Sequence, residues 1–199
     1  LPKLPEYTPN PRSLRFWRDS FLYFWIFSLI GHFLEYPWIW LMNLFGEGLS
    51  YPPLFVIAAP YGFGVLGILW FIYPIFRNRK IGIVSAYIYG VLICTAIEFV
   101  CALVVFLTYG HNPFWDYSAE VITILGTTIP LNLFGFVCLK NSLAFGVVSL
   151  VVLYFLFPFT DNLMKALGQR KLNVIFWVIF TAYMLVHIGS FVTTGDPFR

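Results

Sequence analysis

The chain has 199 residues, 60% of them hydrophobic and 11% charged, with a formal net charge of +3 and a mean hydropathy of +0.82. A soluble domain carries roughly a quarter charged residues, so this composition excludes a fold that faces water on all sides. The small positive charge lies in short clusters beside apolar segments rather than in a stripe able to follow a phosphate backbone, which argues against a nucleic-acid partner.

Apolar stretches approach the roughly 20 residues that a helix needs to cross hydrocarbon, and the polar alternation of a membrane barrel is missing. The fold class expected is therefore all-α: a polytopic integral membrane helical bundle. A Pro-rich arm occupies residues 1–20 and a single transmembrane domain residues 21–199. The start, LPKLPEYTPNP, lacks the apolar core of a signal peptide and reads as an ordered or flexible arm.

The first segment, about Phe21 to Phe45, is long enough to span, and Pro37 should kink it. A Gly/Pro-containing connection leads to a second, marginal segment, about Tyr61 to Phe76, to which residues from Leu54 can contribute. After Arg77, Arg79 and Lys80 comes a third segment, about Ile81 to Tyr109, and then the polar connection GHNPFWDYSAE. Residues 121–139 are apolar but broken by Gly126, Pro130, Asn132 and Gly135, so they either span or re-enter. Two further segments, about Asn141 to Phe159 and Asn173 to Thr194, flank Lys165, Arg170 and Lys171.

Lys/Arg bias orients such a bundle. Arg12, Arg15 and Arg18, the 77–80 cluster and the 165–171 cluster all become cytoplasmic if about five helices span and 121–139 is a re-entrant or interfacial element, with the N-terminus inside. Trp17, Trp38, Trp40 and Trp115 fit interfacial belts.

Ionisable groups in a bilayer cost several kcal/mol by insertion scales, so each invites a functional reading. His32, Glu35, Glu98 and His187 lie within apolar segments, and the expected orientation puts Glu35, Glu98 and His187 in the outer half with Lys140 and Asp116. His32 and Glu35, three apart, share a helix face. These residues and Asn132 form the candidate substrate or ion site, with a satisfied polar cluster between helices as the competing account. No H-E-x-x-H or comparable spacing supports a metal, and none supports haem, so no cofactor is expected. Cys94, Cys101 and Cys138 lie in apolar surroundings without C-x-x-C spacing and read as packing thiols.

Gly62-x-Gly64-x-x-Gly67 matches a dinucleotide fingerprint but sits in an apolar span, where small residues that admit a close helix approach are the better account. No G-x-x-x-x-G-K-[ST] occurs, so an ATP-driven function requires a separate subunit. In Trp115-Asp116-Tyr117-Ser118 an acid and two hydroxyls accompany an aromatic anchor, with an interfacial turn as the plainer account.

Glu35, Pro60-Tyr61-Gly62-Phe63-Gly64, Glu98, Trp115-Asp116-Tyr117-Ser118, and Asn132-Leu133-Phe134-Gly135 running into Cys138-Leu139 and Ser142-Leu143 together resemble the ABC-transporter type IV (CmpB) family of small bacterial membrane proteins. The order and spacing match across roughly residues 30–150, although Phe136 stands where the family often has Arg. The resemblance implies a bacterial cytoplasmic membrane protein and a transport role, with Glu35, Glu98, Asp116 and Asn132 as the positions to test. Three activities fit: a permease-like protein with an outward-facing polar site, an accessory or scaffold subunit of a larger membrane complex, or a membrane-embedded enzyme acting on a lipid-linked substrate. Its partners are membrane lipid and other membrane proteins or further copies of the chain.

Overall fold

The computed structural model describes residues 4–46, 48–51, 58–78, 81–112, 114–124 and 127–194. Leu54, Arg79, Lys80 and Gly126, used in the sequence reading, lie outside the described residues. The chain is mostly helical. Helix α1 (Leu14–Leu44) runs unbroken through Pro37; the proline removes one ladder bond, which apolar bundles accommodate through local adjustment and neighbouring helices. Helix α2 (Ala59–Gly67), a π turn (Ile68–Ile72) and α3 (Tyr73–Arg77) form one rod that starts with Pro60 in the first turn, where its missing N–H costs nothing. Helix α4 (Ile83–Tyr109) stops at Gly110, whose φ of 74° lets its N–H return to the Phe106 carbonyl at 2.8 Å. Helix α5 (Leu139–Val151) continues through a second π turn (Val152–Leu156) into α6 (Phe157–Thr194), which breaks at Gly168 with φ 73° and ψ 161°.

Among the described residues, three stretches, Ala59–Arg77, Ile83–Tyr109 and Leu139–Gly189, are long and apolar enough to cross a membrane. Much of α4, including Val84, Leu92, Val104 and Leu107, faces outward and is exposed. A continuous apolar surface of that kind suits lipid rather than water.

Residues 121–139 do not continue the helical pattern. Strands β1 (Val121–Ile124) and β2 (Thr127–Pro130) pair antiparallel with Val121 opposite Pro130, and β3 (Asn132–Leu133) pairs antiparallel with β4 (Val137–Cys138). Four residues at about 3.3 Å each reach roughly 13 Å, whereas a crossing strand takes about 9–11 residues. The described residues of the segment thus make two ribbons, each too short to cross. Its β-branched residues and the turn chemistry around them outweigh its hydrophobicity.

The rods pack through glycines. Gly62 faces Ser28 and Phe24 of α1, whereas Gly64 and Gly67, on the opposite side of α2, face Cys94, Ile93 and Ile97 of α4. A Cβ at Gly67 would stand 2.7 Å from Ile97 Cδ1, closer than any real contact. Gly31 receives the Tyr61 ring, Gly90 receives Ser149, and Gly146 receives the Tyr87 ring. The G-x-G-x-x-G stretch therefore serves packing, as small residues do wherever helices must approach without a hydrophobic drive.

Arg18, Arg77 and Lys165 gather at one end, whereas Lys140 lies at the start of α5. Arg18, 8% exposed, donates to Gln169 Oε1 at 2.8 Å, to Asn173 Oδ1 and to Asp19. The Tyr23 hydroxyl donates to Asp161 Oδ1 at 3.1 Å, and Lys165 pairs with the same carboxylate. Arg77 pairs with Glu6 at 3.1 Å. The arm is ordered here: the Tyr73 hydroxyl donates to the Pro5 carbonyl at 2.8 Å, and the Tyr7 ring wedges among Tyr23, Tyr73 and Phe157 at centroid distances of 6.2, 6.3 and 5.5 Å.

Replacing Gly90 by Val drives a branched side chain into Ser149 and is expected to cost about 1–3 kcal/mol, lowering the melting temperature in detergent. Gly189→Val, where nothing lies within 4 Å, leaves it unchanged. Burial pushes the Tyr7 phenol up to about 12, against about 10 for a free phenol. The docked arm therefore favours the neutral ring; that stabilisation is complete below pH about 10 and is lost as pH climbs toward 12. Limited proteolysis of the arm should rise over this window in the native chain, and the rise should be shallower in Tyr7→Phe.

Candidate functional site

At the end opposite the basic groups, side chains from α1, α2, α4 and α5 and from the loop after α4 converge. Glu98 of α4 is 8% exposed. Its Oε1 accepts from the Tyr117 hydroxyl at 3.1 Å, and the Tyr117 oxygen in turn accepts from Asn141 Nδ2 at 2.8 Å. The other carboxylate oxygen, Oε2, is buried with no hydrogen-bond partner among the described residues. Burial, and then the charge of Glu98, raise the Tyr117 phenol above its usual range, so at neutral pH it keeps its proton and donates it toward the carboxylate.

Across the cluster, Tyr61 lies within electrostatic range of both Glu35 and Glu98, and His32 lies within range of Glu35. Tyr61 is therefore the bridge between a carboxylate on α1 and one on α4. It holds this position because Gly31 leaves room for its ring and Gly62, the next residue, lets α2 close on α1. His32 itself is buried and edge-on to Tyr36 at 5.6 Å.

Tyr117 is aimed by the loop that carries it. Its N–H donates to the Gly135 carbonyl at 2.9 Å, and Trp115 Nε1 donates to the Phe136 carbonyl at 3.0 Å. Asp116 Oδ1 accepts from the Ser118 N–H at 2.8 Å, a local Asx turn. Asn132 binds both sides of the joint, donating to the Glu120 carbonyl at 3.1 Å and accepting from the Gly135 N–H at 3.0 Å. Gly135 has φ 72°, and a Cβ there would meet Asp116 Oδ1 at 2.8 Å. Phe136 packs its ring against Phe99 and Phe106 of α4 at 5.6 and 5.5 Å. Lys140 pairs with Glu120 at 2.8 Å, tying the start of α5 to the end of the loop.

The predicted site residues thus divide. Glu35 and Glu98 meet through Tyr61, with His32 beside them. Asp116, Asn132 and Lys140 bond the loop that positions Tyr117. His187 lies against Tyr183 at 4.1 Å, and Tyr183 against Trp25, which places it in the aromatic seam between α6 and α1. Tyr61, Tyr117 and Asn141 are the central residues that charge alone does not mark; Tyr61 and Tyr117 had a signal in the Pro60–Gly64 and Trp115–Ser118 stretches, and Asn141 had none of that kind. Among the described residues no group of three His, Cys, Asp or Glu side chains is arranged to hold a metal ion.

Because Asn132 donates to the Ser118 and Glu120 carbonyls and accepts from the Gly135 N–H, Asn132→Ala should free the loop. Amide exchange at residues 115–118 is expected to rise at least about tenfold, a cost of about 1.4 kcal/mol or more, with exchange in α4 unchanged.

No curated protein and no solved structure matches this chain. A family model does: the one described as "Putative ABC-transporter type IV" matches residues 22–191, which include every residue of the polar cluster and of the loop that covers it. On that match the chain belongs to the ABC-transporter type IV family.

Proposed function

We propose that the chain is a permease-type protein of the bacterial cytoplasmic membrane, and that the cluster around Glu98 binds a positively charged solute during its passage. In this reading five helical passes cross the bilayer, with the arm and the basic end in the cytoplasm. Helices α5 and α6 supply two of the passes, because Leu139–Gly189 is 51 residues long, roughly 76 Å at 1.5 Å per residue, over twice the hydrocarbon thickness of about 30 Å.

The observation that carries the proposal is the unpartnered Oε2 of Glu98. A buried carboxylate oxygen without a donor is costly, and such a cost is kept where a ligand relieves it. Neither Lys nor Arg is among the groups described as bonding or electrostatically influencing Glu98. A second carboxylate, Glu35, stands across Tyr61. Two acids bridged by a phenol suit a cation that carries hydrogen-bond donors. Family membership supports a transport role.

Reconstitution in liposomes tests this. Charge movement or internal pH change is followed on adding protonated amines, from ammonium and methylammonium to longer chains. At least one amine should give a response, reduced at least about tenfold by Glu98→Gln and less by Glu35→Gln. A panel without response, or a response indifferent to Glu98→Gln in a correctly folded variant, overturns the proposal.

A further inference from the structure

A crevice of about 390 Å³ opens on the flank of the bundle, between α4 and the β3–β4 ribbon with the start of α5. Its walls are apolar, with Leu92, Ala96 and Phe99 of α4 facing Val137, and two hydroxyl residues, Thr95 and Ser142, line it as well. The stretch of α4 that lines it, residues 91–100, is the middle third of a 27-residue helix. The mouth therefore lies at the depth of lipid tails, and Leu92 and Val100 beside it are exposed.

The crevice borders the polar cluster. Thr95 and Glu98 are three apart and share a face of α4. Ser142 follows Asn141, which holds the Tyr117 hydroxyl on Glu98. Thr95 Oγ1, like Glu98 Oε2, is buried without a hydrogen-bond partner among the described residues. An apolar berth that opens to lipid, with one unpartnered hydroxyl among its lining residues and an unpartnered carboxylate oxygen three residues further along the same helix, has the form of a site for an amphiphile. An aqueous solute has no reason to enter at that depth, and an ordinary acyl chain leaves the polar atoms unmet.

We infer that this crevice is a lateral entrance through which a membrane-dissolved amine reaches Glu98, its chain lying between α4 and the β3–β4 ribbon and its ammonium group donating to Glu98 Oε2. The inference rests on the reading of Glu98 as the substrate site and names the substrate class as long-chain amines. Thr95 and Ser142 mark the passage from chain to head group.

The test uses the full chain in phosphatidylcholine nanodiscs with a photoactivatable long-chain amine and the alcohol of equal length at the same mole fraction. Labelled positions are mapped by mass spectrometry. Labelling of residues 91–100 and 133–142 should favour the amine at least about tenfold, the advantage expected from one charge-assisted hydrogen bond. Glu98→Gln should reduce the amine to the level of the alcohol. Ala96→Phe, which fills the crevice, should remove labelling there by both probes, and Val100→Trp, at the mouth, provides a second obstruction should the first variant fold poorly. Equal labelling by amine and alcohol in the native chain overturns the inference, as does amine labelling that survives both obstructions. If methylammonium transport remains sensitive to Glu98→Gln while the crevice variants change nothing, the entrance falls and the permease reading stands. If neither amine shows any dependence on Glu98, the permease reading falls with it.

Discussion

Helix α2 can lie between α1 and α4 only because it has almost no surface of its own. Gly62 brings it against Ser28 and Phe24 on one side, and Gly64 and Gly67 bring it against Cys94, Ile93 and Ile97 on the other. In a bilayer, where lipid is as apolar as leucine, this closeness supplies the dispersion contacts that hold helices together. It also fixes the chemistry. Tyr61 precedes the first of these glycines, and with its ring seated on Gly31 it lies within electrostatic range of both Glu35 and Glu98. A side chain at Gly62 would separate α1 from α2 and the two carboxylates with them.

The opposite half of the site depends on a second closure. Glu98 is not shielded by the bundle alone, since Tyr117 reaches it from a loop outside the helices. That loop is held by backbone bonds to the β3–β4 turn and by Asn132, and the turn is possible because Gly135 accepts a positive φ beside Asp116. Several of the motif residues are therefore bonded to one another and to backbone rather than aimed at a solute. Their common product is the position of one phenol. The bundle supplies two carboxylates, and the loop decides how one of them is covered.

The helical segments were legible because each is an apolar run with a physical stop: Gly110 ends α4, and Gly168 divides α6 between Lys165 and Arg170. The glycine fingerprint was legible as packing because nothing around it suited a phosphate. Residues 121–139 were less transparent. Apolar residues interrupted by Gly and Pro look alike in a broken helix and a ribbon until the β-branched pairs Ile122–Ile129 and Thr123–Thr128 are seen opposite each other. Among the site residues, Glu35 and Glu98 stood out by charge in an apolar context. Tyr61 and Tyr117 did not, since tyrosine is ordinary in a membrane protein, and only the crossing of α1, α2 and α4 shows what their hydroxyls reach. His187 had the same sequence signal as His32 but sits on a different helix pair.

The docked arm bears on the order in which the molecule is built. Tyr7 is held by Tyr23, Tyr73 and Phe157, and Pro5 by the hydroxyl of Tyr73. Phe157 lies 150 positions further along the chain, so the wedge has no complete socket until the helices between them have been synthesised and inserted. Contacts this distant in sequence close late because the intervening chain must first lose its freedom. A segment made before the helices it docks on is thus among the later ones to find its place, and a bundle with its arm docked is one in which α1, α3 and the start of α6 have already come together.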